Sequence, residues 1–81
     1  MARALFIQEA ACNNDLTVNL LFNDRTRRKV DIGAFIREHP HPQYNKYLKP
    51  ANFRKMRLEQ GNIVWGNDLE FHIEDLYDGI L

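Results

Sequence analysis

Apolar residues recur with two different periods along this chain. The first is two: in the run from Leu16 to Phe22, the residues Leu16, Val18, Leu20 and Phe22 point one way, Thr17 and Asn19 the other. That alternation describes a half-buried antiparallel strand. Ala4 to Ala11 predicts a strand before it, ended by the turn residues Asn13-Asn14-Asp15. Asn23-Asp24 supplies a tight turn after it, since both residues tolerate left-handed backbone. A third strand follows, with Arg28, Val30 and Ile32 on one face and Lys29 and Asp31 on the other. Turns this short predict a three-stranded meander.

Gly33 breaks the alternation. Ala34 to Glu38 reads as a short helical piece stopped by His39-Pro40-His41-Pro42, because each proline removes an amide donor and pushes the preceding residue out of helical geometry. Gln43 to Leu48 predicts another short helix with Tyr44, Tyr47 and Leu48 on one side, and Pro50 closes it, leaving Phe53 to plug the core. Met56 and Leu58 then alternate with Lys55, Arg57 and Glu59, Gly61-Asn62 turns, and Ile63-Val64-Trp65 returns as a second hairpin. After a turn at Gly66-Asn67, Ile73, Leu76, Tyr77 and Ile80 recur at helical spacing. Glu74 and Asp75 sit in the first turn of that helix, where its dipole favours acids, and Gly79 weakens its end. The elements sum to an α+β domain. Its antiparallel sheet has about five strands, a meander plus a hairpin, with a short helical insert and a C-terminal helix on one face.

The length, 81 residues, suits one domain spanning 1–81. The only tryptophan, Trp65, lies where the strand pattern gives way to the helix pattern, so the rest of the chain is expected to gather around it. Ala4-Leu5-Phe6-Ile7 is too short for a signal-peptide core or a membrane span. The single cysteine, Cys12, has no internal disulfide partner, which points to a reducing cytoplasm.

Formal net charge is zero, but the charges are segregated. Between Arg25 and Arg57 stand ten Lys or Arg and two acids; from Leu58 onward stand six acids and no Lys or Arg. Such halves can screen each other within one fold, pair between two copies as a homodimer, or face different partners.

Four sets of residues bear on chemistry or contact. His39 and His41, with His72, Asp68 or Cys12 as distant partners, offer donors to a metal but lack the close ligand pairs of zinc sites. Glu70, Glu74 and Asp75 surround His72, a pattern more common for caps and dipole partners than for acid–base catalysis. There is no serine, no glycine-rich phosphate loop, and no basic residue adjoining Cys12 in sequence to lower its pKa. No enzyme, metal or cofactor is expected. The basic residues Arg25, Arg27, Arg28 and Lys29, joined by Arg54, Lys55 and Arg57, make a candidate surface for a partner or for nucleic acid, with Tyr44 and Tyr47 as stacking faces. Solvated strand faces that block edge-to-edge pairing are the plainer reading of the same charges. Glu70, Phe71, Glu74, Asp75 and Tyr77 make a second candidate partner surface.

The end of the chain resembles a small bacterial family called domain of unknown function 2442, whose signature runs about W-x-N-x-x-D-aromatic-x-P-x-x-L-Y. Trp65, Asn67, Phe71, Leu76 and Tyr77 match it. Upstream, Phe22-Asn23-Asp24, Val30-Asp31-Ile32, Leu48 and Pro50-Ala51-Asn52-Phe53 fit in order, so the resemblance covers nearly the whole chain. Glu70 replaces the usual aspartate, Ile73 the usual proline, and Arg25 the glycine common after the hairpin Asp. The resemblance implies an α+β domain without established enzymatic activity. Some members carry a helix-turn-helix after it, absent from a sequence ending at Leu81; others adjoin a second small protein, as toxin–antitoxin pairs do. The leading expectation is a non-enzymatic protein-interaction module of the bacterial cytoplasm. A nucleic-acid-binding module ranks second, and a small enzyme or metal protein third.

Overall fold

The computed structural model describes residues 4–66 and 68–79. The strands β1 (Ile7–Cys12), β2 (Thr17–Phe22) and β3 (Arg27–Asp31) form the expected antiparallel meander in the order β1-β2-β3. Val18, Leu20 and Phe22 are buried, as their alternation predicts. Leu16, expected to open β2, sits instead in the preceding turn at φ 65, a backbone region that leucine seldom occupies. Its burial in the core holds it there. β1 begins at Ile7, later than the apolar run suggests, and carries a bulge between Ile7 and Glu9.

β3 ends at Asp31 because Asp31 caps the helix α1 (Ile32–Glu38), its Oδ1 accepting from Ala34 N at 2.9 Å. Gly33 therefore lies inside that helix. Its missing side chain lets Leu16 approach, since a Cβ there would stand 3.0 Å from Leu16 Cβ. His41 caps the next helix, α2 (Pro42–Asn45), which begins one residue earlier than expected, with Pro42 in its first turn, where a missing amide donor costs nothing. A 3-10 turn (Lys46–Leu48) and the helix α3 (Pro50–Phe53) complete the insert.

β4 (Arg57–Glu59), β5 (Asn62–Trp65) and β6 (Leu69–Glu70) form a second antiparallel sheet in that order. The connection β4–β5 turns on Gln60 and Gly61, both at positive φ, while Asn62 already belongs to β5. The single sheet of about five strands is thus corrected: among the described residues there are six strands in two three-stranded sheets. They meet where Ile7 N donates to Gly61 O at 2.7 Å, and Cys12 Sγ lies 3.8 Å from Met56 Sδ at the other end of the same seam. β1 accordingly runs beside β4 in the opposite direction. The bulge at Ile7/Glu9 bends β1 away from a continuous ladder.

α4 (Ile73–Asp78) closes the fold, with Glu74 and Asp75 in its first turn. Gly79 is its left-handed C-terminal residue at φ 72, donating back to Asp75 O and Leu76 O. It ends the helix rather than weakening it. The turn at Asn67 and the helical position Ile80 lie outside the described residues. Trp65 is fully buried, stacked 5.5 Å from Phe53 and edge-on to Phe71 at 6.1 Å, and its Nε1 donates to Phe53 O at 2.8 Å.

Candidate functional site

The side of β2 that turns away from the core carries Thr17, Asn19 and Leu21, and its neighbours continue that face in rows. Leu21 pairs with Arg27 on β3 and Glu9 on β1; Asn19 pairs with Lys29 and Ala11. Each row thus runs from β1 across β2 to a cation on β3. Between the walls lies an open groove of about 450 Å³, floored by Ala11, Asn19 and Leu21. Leu21 keeps only 8% of its surface exposed between its neighbours Glu9 and Arg27. The stems of the residues beside it shield it, as long charged side chains do. Arg27 makes no ion pair among the described residues, and Lys29 reaches Asp15 only at 3.9 Å with both side chains mostly exposed. A pair that exposed contributes little, so both cations remain available.

The other predicted basic residues are placed elsewhere. Arg28 points to the opposite face, where its Nε donates to Tyr77 O at 2.6 Å and its guanidinium lies 5.6 Å from the Tyr77 ring centre. Arg25 occupies the β2–β3 turn at φ 74. Arg54 ends α3, Lys55 follows it, and Arg57 forms an ion pair with Glu59 on the second sheet. The predicted basic surface of seven residues therefore reduces to Arg27 and Lys29 on the groove wall.

The stacking faces divide as well. Tyr44 is half-buried, but Tyr47 is buried, its hydroxyl donating to Trp65 O at 3.1 Å and reaching Asp68 Oδ2 at 3.3 Å. Asp68 Oδ2 also takes Lys46 Nζ at 2.5 Å. That contact depresses the Asp68 carboxyl and raises the Lys46 ammonium.

On the second candidate surface, Phe71 is buried between Trp65 and Phe35 and offers nothing to a partner. Its expected exposure is corrected: Phe71 follows Leu69 by two residues across the exposed Glu70, so it turns to the same buried side. Tyr77 is half-buried with its hydroxyl committed to Asp24 and Thr26. Glu70 and Glu74 are exposed and line a smaller groove of about 330 Å³ with His72; Asp75 is half-buried.

The proposed metal donors are dispersed. The described residues contain no group of three or more His, Cys, Asp or Glu placed to hold a metal ion. His39 Nδ1 lies 3.0 Å from Phe35 O, and its ring stacks on Phe35. His41 Nδ1 accepts from Gln43 N at 3.1 Å. Burial pushes the Cys12 thiol above its ordinary value of 9.0, with the Arg54 charge opposing that shift. Cys12 thus has a basic neighbour in space that its sequence surroundings hide.

Sequence reasoning missed Glu9, Asn19 and Leu21 as groove residues. The signal was present in the strand period, which sends odd-numbered positions of β2 and β3 to one face, but the pairing register that brings Glu9 to Leu21 depends on turn geometry. No helix among the described residues is long and apolar enough to cross a membrane. Compared with family models, with curated proteins and with solved structures, the chain matches none.

Proposed function

We propose that this chain is a non-enzymatic protein-interaction module whose contact surface is the outer face of the first sheet. The observation that carries the reading is the groove bounded by the uncommitted Arg27 and Lys29 on one wall and Glu9 on the other. Such a face selects a partner by charge on both sides. The non-enzymatic part is supported by the engagement of two reactive groups: burial pushes the Cys12 thiol up, leaving less thiolate, and His41 Nδ1 serves as a helix cap. The resemblance through Trp65, Phe71, Leu76 and Tyr77 supports a bacterial cytoplasmic protein of the domain of unknown function 2442 type, and a toxin–antitoxin-like partner suits that reading. The test is capture from a bacterial lysate after nuclease treatment, comparing the natural chain with the double variant Arg27→Glu, Lys29→Glu. A protein retained by the first and lost by the second supports the reading; equal retention removes this face from it.

Nucleic-acid binding is the second reading, favoured by the same two cations, which a strand spaces roughly 6.6 Å apart. It loses the stacking contribution of Tyr47, whose ring is buried. Affinity for a single-stranded oligonucleotide that falls steeply with salt, and is abolished in the double variant, would establish it.

A further inference from the structure

The lateral edge of β3 adjoins the groove wall, and its backbone pattern is fixed by the turn. Phe22 N donates to Thr26 O at 2.9 Å, so the even residues Arg28 and Val30 face β2 with their N–H and C=O groups. The odd residues Arg27, Lys29 and Asp31 direct theirs outward, where the Arg27 carbonyl accepts from Arg28 Nη1 at 3.2 Å. β3 ends its sheet, and no described strand pairs with that edge. Beside it runs a groove of about 280 Å³ in which Val30, Ala34 and Phe35 form the apolar part and Lys29, Asp31 and Glu38 the charged part.

We propose that β3 accepts an extended acidic segment of a partner protein as an added strand. The inference rests on the interaction-module reading and names its partner's chemistry. Residues directly opposite in a ladder share a face, so the incoming positions opposite Arg27 and Lys29 meet those cations and favour Glu or Asp. The position opposite Val30, next after the one opposite Lys29, enters the trough over Ala34 and Phe35 and favours an apolar side chain. The pattern recognised is therefore acidic opposite Arg27 and Lys29 and apolar opposite Val30, the main chain supplying affinity and the side chains specificity. A second copy fits less well. Pairing β3 with itself over its whole length sets Lys29 against Lys29, a destabilising like-charge pair. Shifting the register to put Lys29 opposite Asp31 pairs only three residues before α1 turns away, and Asp31 is already engaged in capping Ala34 N.

The test is amide-resolved NMR with a synthetic peptide alternating glutamate and valine. In the free protein the amides of Arg27 and Lys29 should exchange quickly while Arg28 and Val30 are protected. Adding the peptide should protect Arg27 and Lys29, and N-methylating its pairing amides should weaken the complex roughly tenfold. A lysine–valine peptide should bind only the Arg27→Glu, Lys29→Glu variant. Protection of Arg27 and Lys29 in the dilute free protein, or indifference to N-methylation, overturns the proposal. Protection that grows with protein concentration alone identifies the occupant as a second copy and overturns it equally. If a host protein is captured in a manner dependent on Arg27 and Lys29 while these amides stay unprotected, strand addition fails and the module reading stands. If nothing is captured, the module reading fails by itself.

Discussion

The Tyr77 hydroxyl donates to Asp24 Oδ2 across 2.5 Å, tying α4 to the β2–β3 turn 53 positions earlier in the chain. Thr26 Oγ1 lies 3.2 Å from the same hydroxyl, Phe22 meets the Tyr77 ring edge-on at 5.0 Å, and Arg28 covers the ring's face. A terminal helix of six residues has little stability of its own, so these contacts are what hold it against the first sheet.

Asp24 reports on that docking. Its carboxyl is depressed below 3.8, first by the Tyr77 hydroxyl and then by Thr26. A carboxylate with a lowered folded-state pKa adds stability above its unfolded value, and that stability is lost as pH falls through the folded value. Tyr77→Phe should raise the Asp24 pKa toward 3.8 in an NMR titration. It should cost stability at neutral pH, and the difference from the natural chain should vanish once Asp24 is protonated in both. An Asp24 titration unmoved by the substitution would show that the hydroxyl is not its principal partner.

Trp65 is the position least open to change. Phe53 O accepts from both Trp65 Nε1 and Cys12 Sγ, so the indole fixes the end of α3 against β5 as well as filling the core, and the thiol ties the same carbonyl to β1. Trp65→Phe loses a buried hydrogen bond and part of a ring, and should destabilise by about 2–3 kcal/mol. A domain of this length holds only about 4–12 kcal/mol in total. Urea unfolding should therefore show a large drop in midpoint, with Tyr47→Phe costing about 1 kcal/mol for its bond to Trp65 O.

Arg25 stands at φ 74, a conformation that costs an L-residue about 1–2 kcal/mol and glycine almost nothing. Glycine gives back part of that through its more flexible unfolded state. Arg25→Gly should consequently stabilise the domain by up to about 1 kcal/mol, whereas Arg25→Ala should not. The reverse change, Gly79→Ala, meets no atom within 4 Å and should cost only the backbone term, about 1 kcal/mol. Gly61→Ala adds a contact of 2.5 Å with Phe6 Cβ to the same backbone strain and should cost distinctly more. Equal losses at Gly61 and Gly79 would argue against the packing of Phe6 on that turn.

The parts of this fold that could be read from the sequence are those set by local period. β2 announces itself because Val18, Leu20 and Phe22 alternate with Thr17 and Asn19, and α4 because Leu76 and Tyr77 follow Ile73 at helical spacing. Arg27 and Lys29 share a face for the same reason. What escaped depends on contacts far apart in sequence. The split into two sheets follows from the bulge at Ile7/Glu9 and a single backbone bond to Gly61, neither of which leaves a local pattern. Phe71 looked like a surface aromatic among acids because nothing local reveals that Trp65 and Phe35 enclose it. Arg28 could be told from Arg27 only by facing, and its engagement with Tyr77 only from the docked helix.

Cys12 offers a last check on the seam between the sheets. Burial raises its thiol pKa, and the positive charge of Arg54 pulls it partway back. Less thiolate is present at a given pH than on a free cysteine, so iodoacetamide should react slowly near pH 8. Removing the charge removes the opposing effect: Arg54→Ala should slow the reaction further, and Arg54→Glu further still, with unchanged circular dichroism confirming that the fold is retained. Arg54 is exposed, so stability should shift by no more than about 0.5 kcal/mol. A rate that rises in Arg54→Ala would mean that the thiol has become more accessible, placing the role of Arg54 in covering the seam rather than in charging it.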